Sequence, residues 1–283
     1  MSRTAYQARP SILTMNRNVL LVHGTWCNGD NWGEFATELE RRGYTVHAPT
    51  LRHHGAPGDS DARTNARKVG KVGLLDYVAD LSDLVENMDT PPIVVGHSLG
   101  ALLAQLLAAR VRTAGLVLLG PAPSAGMWNA YPTMFRLWAR YLPQWLAGRP
   151  MYPVSWKAWT TLICNTTPPD IQESYYATLC AESGTAYRQM SLWFLDPARN
   201  ARVDFDAVDA PVLVVTGSED RCTVPRIGKV TSRKYRARGT YVELAGSDHM
   251  MTVGAFLPQT LAAFDDWAHS NALTPVGGPD EGR

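Results

Sequence analysis

Along the chain, short apolar runs alternate with segments whose apolar residues recur every three or four positions. Asn18–Val22 (NVLLV) is such a run, stopped by His23-Gly24, and predicts a strand buried on both faces. Trp32–Arg42 sets Trp32, Phe35, Ala36 and Leu39 on one helical face, with Gly43 as the stop. Tyr44–Ala48 reads as the next strand, ended by Pro49, and residues 50–70, rich in Gly, Asp, Arg and His, read as a loop. Leu74–Met88 is helical in period through Leu74, Leu75, Val78, Leu81 and Val85. A strand at Pro92–Val95, an Ala/Leu-rich helix at Ser98–Ala109 and a strand at Gly115–Leu119 follow. Strands alternating with helices predict an α/β doubly wound, mostly parallel sheet with right-handed crossovers.

The alternation lapses after Gly120. From Pro121 to about Arg202 no five-residue strand-like run stands out, and the pattern is one of short helices rich in tryptophan. It resumes with strands at Val212–Thr216 and Thr240–Leu244 and helices at Arg226–Arg236 and Phe256–His269. A structureless loop of roughly 80 residues is improbable inside a domain, so this stretch predicts a helical subdomain inserted between two strands of one sheet. The expected organisation is an N-terminal extension over residues 1–17, a core over 18–122 and 203–270, an inserted helical cap over 123–202, and a flexible tail over 271–283.

Composition narrows the function classes. Of 283 residues, 45% are hydrophobic and 19% charged, and 27 basic residues balance 26 acidic ones, a net charge of +1. That excludes intrinsic disorder and argues against a nucleic-acid partner or a polybasic membrane anchor. The four cysteines, Cys27, Cys164, Cys180 and Cys222, show no zinc-like spacing and read as reduced thiols. Residues 1–18 lack the apolar run of a signal peptide, and no stretch approaches the roughly 20 apolar residues of a membrane-spanning helix. A cytoplasmic monomer or homodimer without metal or cofactor is expected.

The chemistry concentrates at Gly96-His97-Ser98-Leu99-Gly100, a G-x-S-x-G pentapeptide between an apolar strand and an Ala/Leu helix. So tight a strand-to-helix turn strains its middle residue and presents Ser98 Oγ above the sheet, at a helix N-terminus that favours developing negative charge. A nucleophilic serine needs a base, and the base an orienting acid, in the chain order Ser, Asp/Glu, His. Only His249 and His269 follow Ser98; His249, in Ala245-Gly246-Ser247-Asp248-His249 just past the last strand, is the expected base, and His269 a solvated helix residue. Asp220, four residues past the strand Val212–Thr216, is the expected acid, with Glu219 as competitor; Asp248 adjoins His249 and reads as a structural cap. The N–H groups of Leu99 and Thr25 are expected to form an oxyanion hole, Trp26 being the off-by-one alternative to Thr25. His23, His97 and the pair His53-His54 read as structural. Six of the nine tryptophans lie in the insertion, and with its tyrosines and phenylalanines they predict an apolar or aromatic-lined pocket. Trp26, Trp128, Phe135, Trp159, Trp193 and Met250 are the expected substrate contacts.

Taken together, His23-Gly24 after a strand, Gly96–Gly100 at the elbow, Asp220 within Gly217…Pro225, and His249 resemble the α/β-hydrolase superfamily over about residues 18–269. The resemblance implies an α/β-hydrolase fold with an inserted cap, here with the usual leading strand hairpin reduced. The run His23–Trp32 is similar to the plant esterase and hydroxynitrile-lyase branch. The lyases carry Thr where this chain has Gly24 and Lys where it has Met250, which places the chain on the esterase side. Ser98 stands where epoxide hydrolases and haloalkane dehalogenases use Asp. The function implied is a serine esterase or lactonase acting on a small to medium apolar or aromatic substrate. A carbon–carbon bond hydrolase with the same triad, or a slow-turnover ligand receptor of the same fold, are the alternatives.

Overall fold

The computed structural model describes residues 17–55 and 61–275. Residues 1–16, nearly all of the expected N-terminal extension, and 276–283, most of the expected tail, lie outside the described residues. Six parallel strands form one sheet: β1 (Arg17–Val22), β2 (Tyr44–His47), β3 (Ile93–His97), β4 (Gly115–Leu119), β7 (Val212–Gly217) and β8 (Gly239–Leu244). Their spatial order is β2-β1-β3-β4-β7-β8. The sequence order thus runs outward from β1 in one direction and, after β2, in the other.

Both faces of the sheet are covered, which is why the inner strands β1, β3, β4 and β7 carry unbroken apolar runs while the edge strands β2 and β8 do not. Leu20, Val22, Val94, Leu116 and Val214 face one apolar cluster, together with α3 (Leu74–Glu86), α4 (Leu99–Ala108) and the insertion. Val19, Leu21, Val95, Val117 and Val215 alternate to the other face and pack on α1 (Gly33–Arg41) and α11 (Leu257–Ser270). Helix α10 (Pro225–Lys234) covers β7 and β8. Gly43, just past α1, has φ +86°, the left-handed conformation glycine adopts without strain.

One stretch expected to be loop is partly helical: α2 spans Ala62–Val69. Only Ala66 and Val69 of its eight residues are buried, so its apolar stripe is too thin to mark a helix.

Between the adjacent strands β4 and β7 the chain leaves the sheet. It forms α5 (Pro132–Trp138), α6 (Leu142–Ala147), β5 (Pro150–Met151), α7 (Trp156–Leu162), α8 (Pro169–Tyr176), β6 (Glu182–Ser183) and α9 (Gly184–Ser191). The two-residue strands β5 and β6 pair antiparallel within the insertion, and both lie against α2. Glu182, fully buried in β6, accepts from Tyr77 Oη at 3.0 Å and the Ser183 amide at 2.6 Å, and meets His54 Nε2 at 3.1 Å. Burial alone would lower the His54 pKa, but the Glu182 carboxylate more than offsets it and raises it. His54, read as structural, is therefore one half of a buried ionic seat for the insertion.

Candidate active site

The turn from β3 to α4 is set by the absence of side chains at two glycines. A Cβ on Gly96 would lie 2.3 Å from Gly100 O, and one on Gly100 would lie 2.1 Å from Val22 O. The helix thus packs directly on the strands, and the turn between them is forced. Ser98 takes the strain, with φ 56° and ψ −119°, a region costing roughly 1–3 kcal/mol for a residue with a side chain. Its amide donates to Leu119 O at 2.9 Å, fixing the elbow across to β4. Leu99 opens α4, where the first amides have no acceptor within the helix.

His249 lies beyond β8 in a loop that returns to the C-terminal ends of the strands. Its Nδ1 is 2.7 Å from Asp220 Oδ2, and both side chains are buried. The Asp220 carboxylate is held in turn: Oδ1 accepts from the amides of Cys222 and Thr223, each at 2.8 Å, and Thr223 Oγ1 lies 3.0 Å from Oδ2. Gly120, at φ +49°, leaves the space the pair occupies, since a Cβ there would stand 3.1 Å from His249 Nδ1. Burial pulls the imidazole toward neutrality, yet the Asp220 carboxylate prevails and raises its pKa well above the ordinary histidine value. In the neutral ring Nδ1–H donates to Asp220 Oδ2, and Nε2 keeps its lone pair.

The other acidic and imidazole groups fall into supporting places. Glu219 is exposed and His269 is exposed at the end of α11. Asp248 accepts from the amides of Thr166 and Thr167 at 2.8 Å and from the Met250 amide at 2.9 Å, tying the His249 loop to the insertion. His97 Nε2 donates to His249 O at 2.9 Å; burial, and then the nearby imidazole of His249, lower its pKa to about 3. His23 Nε2 accepts from the Leu51 amide at 3.0 Å and its Nδ1 meets Gly24 O at 3.0 Å; burial lowers its pKa to about 3 as well. Both rings are thus neutral braces, one behind His249 and one beneath the loop after β1. All four cysteines are free thiols, and burial pushes the Cys27 thiol up to about 12.

That loop, Gly24–Cys27, lies against the elbow: a Cβ on Gly24 would be 3.1 Å from both His97 O and Ser98 Cβ. It closes as a tight turn, Cys27 N donating to Gly24 O at 3.2 Å with Trp26 at φ 65°.

Ser98 opens onto two spaces. A narrow recess holds Ser98 together with His249, Thr25, Trp26, Trp159, Cys222 and Met250. On the other side lies a cavity of about 300 Å³, reached by Ser98 and Thr223 from the core and walled by Met134, Phe135, Trp138, Leu142, Trp145 and Tyr187 of the insertion. Trp138 lines both. Of the six expected contacts, Trp26, Trp159 and Met250 line the recess and Phe135 the cavity. Trp128 and Trp193 line neither: Trp128 is 70% exposed, and Trp193 packs edge-on to Phe194. Of the residues that do wall the cavity, Trp138 and Trp145 pack on Tyr187, the first tilted and the second stacked, with centroids 4.9 Å and 5.9 Å away. No pattern in the sequence separates them from the other aromatic residues of the insertion. Thr223 had a local signal: an aspartate followed two and three residues on by amides it can cap is a common turn.

The chain matches the alpha/beta hydrolase family model over residues 19–263. A pyrethroid hydrolase from Sphingobium wenxiniae is 32% identical over 104 residues, a stretch covering 36% of this chain and only 35% of that relative. Among solved structures, a monoacylglycerol lipase from Paleococcus ferrophilus superposes with a TM-score of 0.66 at 22% identity, covering 90% of this chain and 94% of that one. A methylesterase from Arabidopsis superposes with a TM-score of 0.63 at 12% identity, covering 89% of this chain and 99% of that one. With elbow, histidine loop and sheet order in place, and the family model spanning most of its length, the chain belongs to the alpha/beta hydrolase family.

Proposed function

We propose that the protein is a serine hydrolase of carboxylic esters or lactones carrying an apolar or aromatic group, with Ser98 as nucleophile, His249 as base and Asp220 as orienting acid. The observation that carries this reading is the buried 2.7 Å contact of His249 with Asp220 in a recess that Ser98 also lines. His249 Nε2 takes the hydroxyl proton as Ser98 Oγ attacks the carbonyl carbon. Asp220 stabilises the imidazolium and holds the tautomer. The amides of Thr25 and Leu99 receive the oxyanion, each worth about 3 kcal/mol of barrier. The tetrahedral intermediate collapses as the imidazolium gives its proton to the leaving alkoxide, and the alcohol departs. Water then repeats the sequence on the acyl-enzyme, releasing the acid and restoring Ser98.

The two spaces around Ser98 suggest an orientation. The leaving oxygen must meet His249, which lines the recess, so the alcohol side lies there and the acyl chain in the larger cavity under the cap. Two relatives' names fit this, a methylesterase and a monoacylglycerol lipase, while the pyrethroid hydrolase supports only an apolar ester as substrate. The test is a two-way panel, methyl esters of lengthening acyl chain against acetyl esters of lengthening alcohol, with Ser98→Ala in parallel. The reading expects turnover that Ser98→Ala abolishes by about 10⁶-fold and that tolerates acyl growth better than alcohol growth. Wild-type turnover in Ser98→Ala would sink it.

A further inference from the structure

The loop that would supply half of the oxyanion hole is held chiefly by the insertion rather than by the sheet. Trp26 Nε1 donates to Met151 O at 3.0 Å, and the Cys180 amide donates to Trp26 O at 2.7 Å. Cys27 Sγ meets Tyr175 Oη at 3.5 Å. Closest to the chemistry, Thr25 Oγ1 and Tyr187 Oη lie 2.5 Å apart, both buried. The Tyr187 ring cannot drift, since Trp138 and Trp145 pack against it. The loop needs such support: Trp26 sits in the left-handed region at φ 65°, which a residue with a side chain occupies only when its surroundings impose it.

We infer that Tyr187 is a positioning residue for the oxyanion hole: its hydroxyl, carried on cap helix α9, fixes Thr25 so that the Thr25 amide points at the developing oxyanion. This rests on the ester-hydrolase reading of Ser98. The inserted segment then does more than enclose the substrate; it completes the catalytic geometry, and a badly seated cap is a poor catalyst even for a substrate too small to touch it. Tyr187 Oη spends its hydrogen bond on Thr25, which leaves the cavity wall it belongs to apolar.

The test is Tyr187→Phe, which keeps the ring and removes only the hydroxyl, assayed on p-nitrophenyl acetate, a substrate small enough to need little of the cavity. A misplaced oxyanion donor costs about 10- to 100-fold in kcat, with KM changed little. A trifluoromethyl ketone, which forms a tetrahedral adduct with a serine, should lose affinity by the same factor. Thr25→Val should reproduce the loss, the double variant should be no worse than either single one, and Thr25→Ser, which keeps the hydroxyl, should recover most of it. An unchanged kcat, a change confined to KM, or additive losses in the double variant would overturn the assignment. Failure here with turnover still abolished by Ser98→Ala removes only the role of Tyr187; turnover indifferent to Ser98→Ala removes both.

Discussion

Around Ser98 the backbones of strand and helix touch with no room for a side chain between them, whereas the inserted helices wall the cavity across from it with side chains. On the sheet side, Gly96 and Gly100 bring strand and helix into direct contact, Gly120 leaves the space for His249 and Asp220, and main-chain amides hold the Asp220 carboxylate. On the insertion side, packed rings, one hydroxyl pair and the buried His54–Glu182 contact join main-chain hydrogen bonds such as those of Met151 O and the Cys180 amide to Trp26. Geometry built from backbone tolerates few sequences. Geometry built from aromatic packing tolerates many, because volume and polarity matter more than identity. The proposed reacting groups therefore sit where backbone contacts fix the geometry, and the proposed selecting groups where side-chain packing does.

This difference sets what each half does when altered. The largest effect short of losing Ser98 itself should come from Asp220→Asn, which leaves shape intact but removes the charge beside His249. We expect kcat to fall about 10⁴-fold on every substrate alike. The same variant fixes the pH dependence. The His249 pKa is raised above the free value of 6.5, chiefly against the pull of burial, by Asp220. Only the neutral ring can accept the serine proton, so wild-type kcat/KM should rise with pH through a midpoint above 6.5 and level off beyond it. Without the aspartate, burial dominates and the midpoint should move down; a midpoint that stays put would mean another group controls the limb.

A smaller and selective effect is expected across the cavity. Leu142 is half-exposed where it lines the cavity, so Leu142→Trp can take up volume there without overpacking the core. It should reduce kcat/KM for long acyl esters about tenfold while acetyl esters change little, the scale of a few methylenes in an apolar pocket. Equal losses on short and long acyl chains would erase the distinction between the two halves of the site.

The same contrast explains what could be read without coordinates. The strands were legible because burial on both faces demands unbroken apolar runs, and Gly115–Leu119 is found with the expected ends. Ser98, His249 and Asp220 were nominated from strand ends, a glycine-framed turn and chain order; the structure brings His249 and Asp220 into contact and both His249 and Ser98 to one recess. Helix α2 was not legible, since its apolar side is only Ala62, Ala66 and Val69, small and few in a stretch dominated by Arg, Lys and Asn. The pairing of Pro150–Met151 with Glu182–Ser183 was not, since two residues make no pattern. Nor could the choice of aromatic residues be read: Trp128 and Trp138 lie ten positions apart in one tryptophan-rich stretch, and only the packing of α5 on Trp26 and Tyr187 puts Trp138 at the site and leaves Trp128 outside.

The central claim is that Ser98 becomes the covalent carrier of the acyl group. It is tested most directly by intact-mass measurement after treatment with a dialkyl p-nitrophenyl phosphate, followed by peptide mapping. The account predicts one phosphoryl adduct per chain, on Ser98, formed in step with loss of esterase activity and absent from Ser98→Ala. Inactivation without an adduct at Ser98, or an adduct of equal rate on another residue in Ser98→Ala, would contradict it.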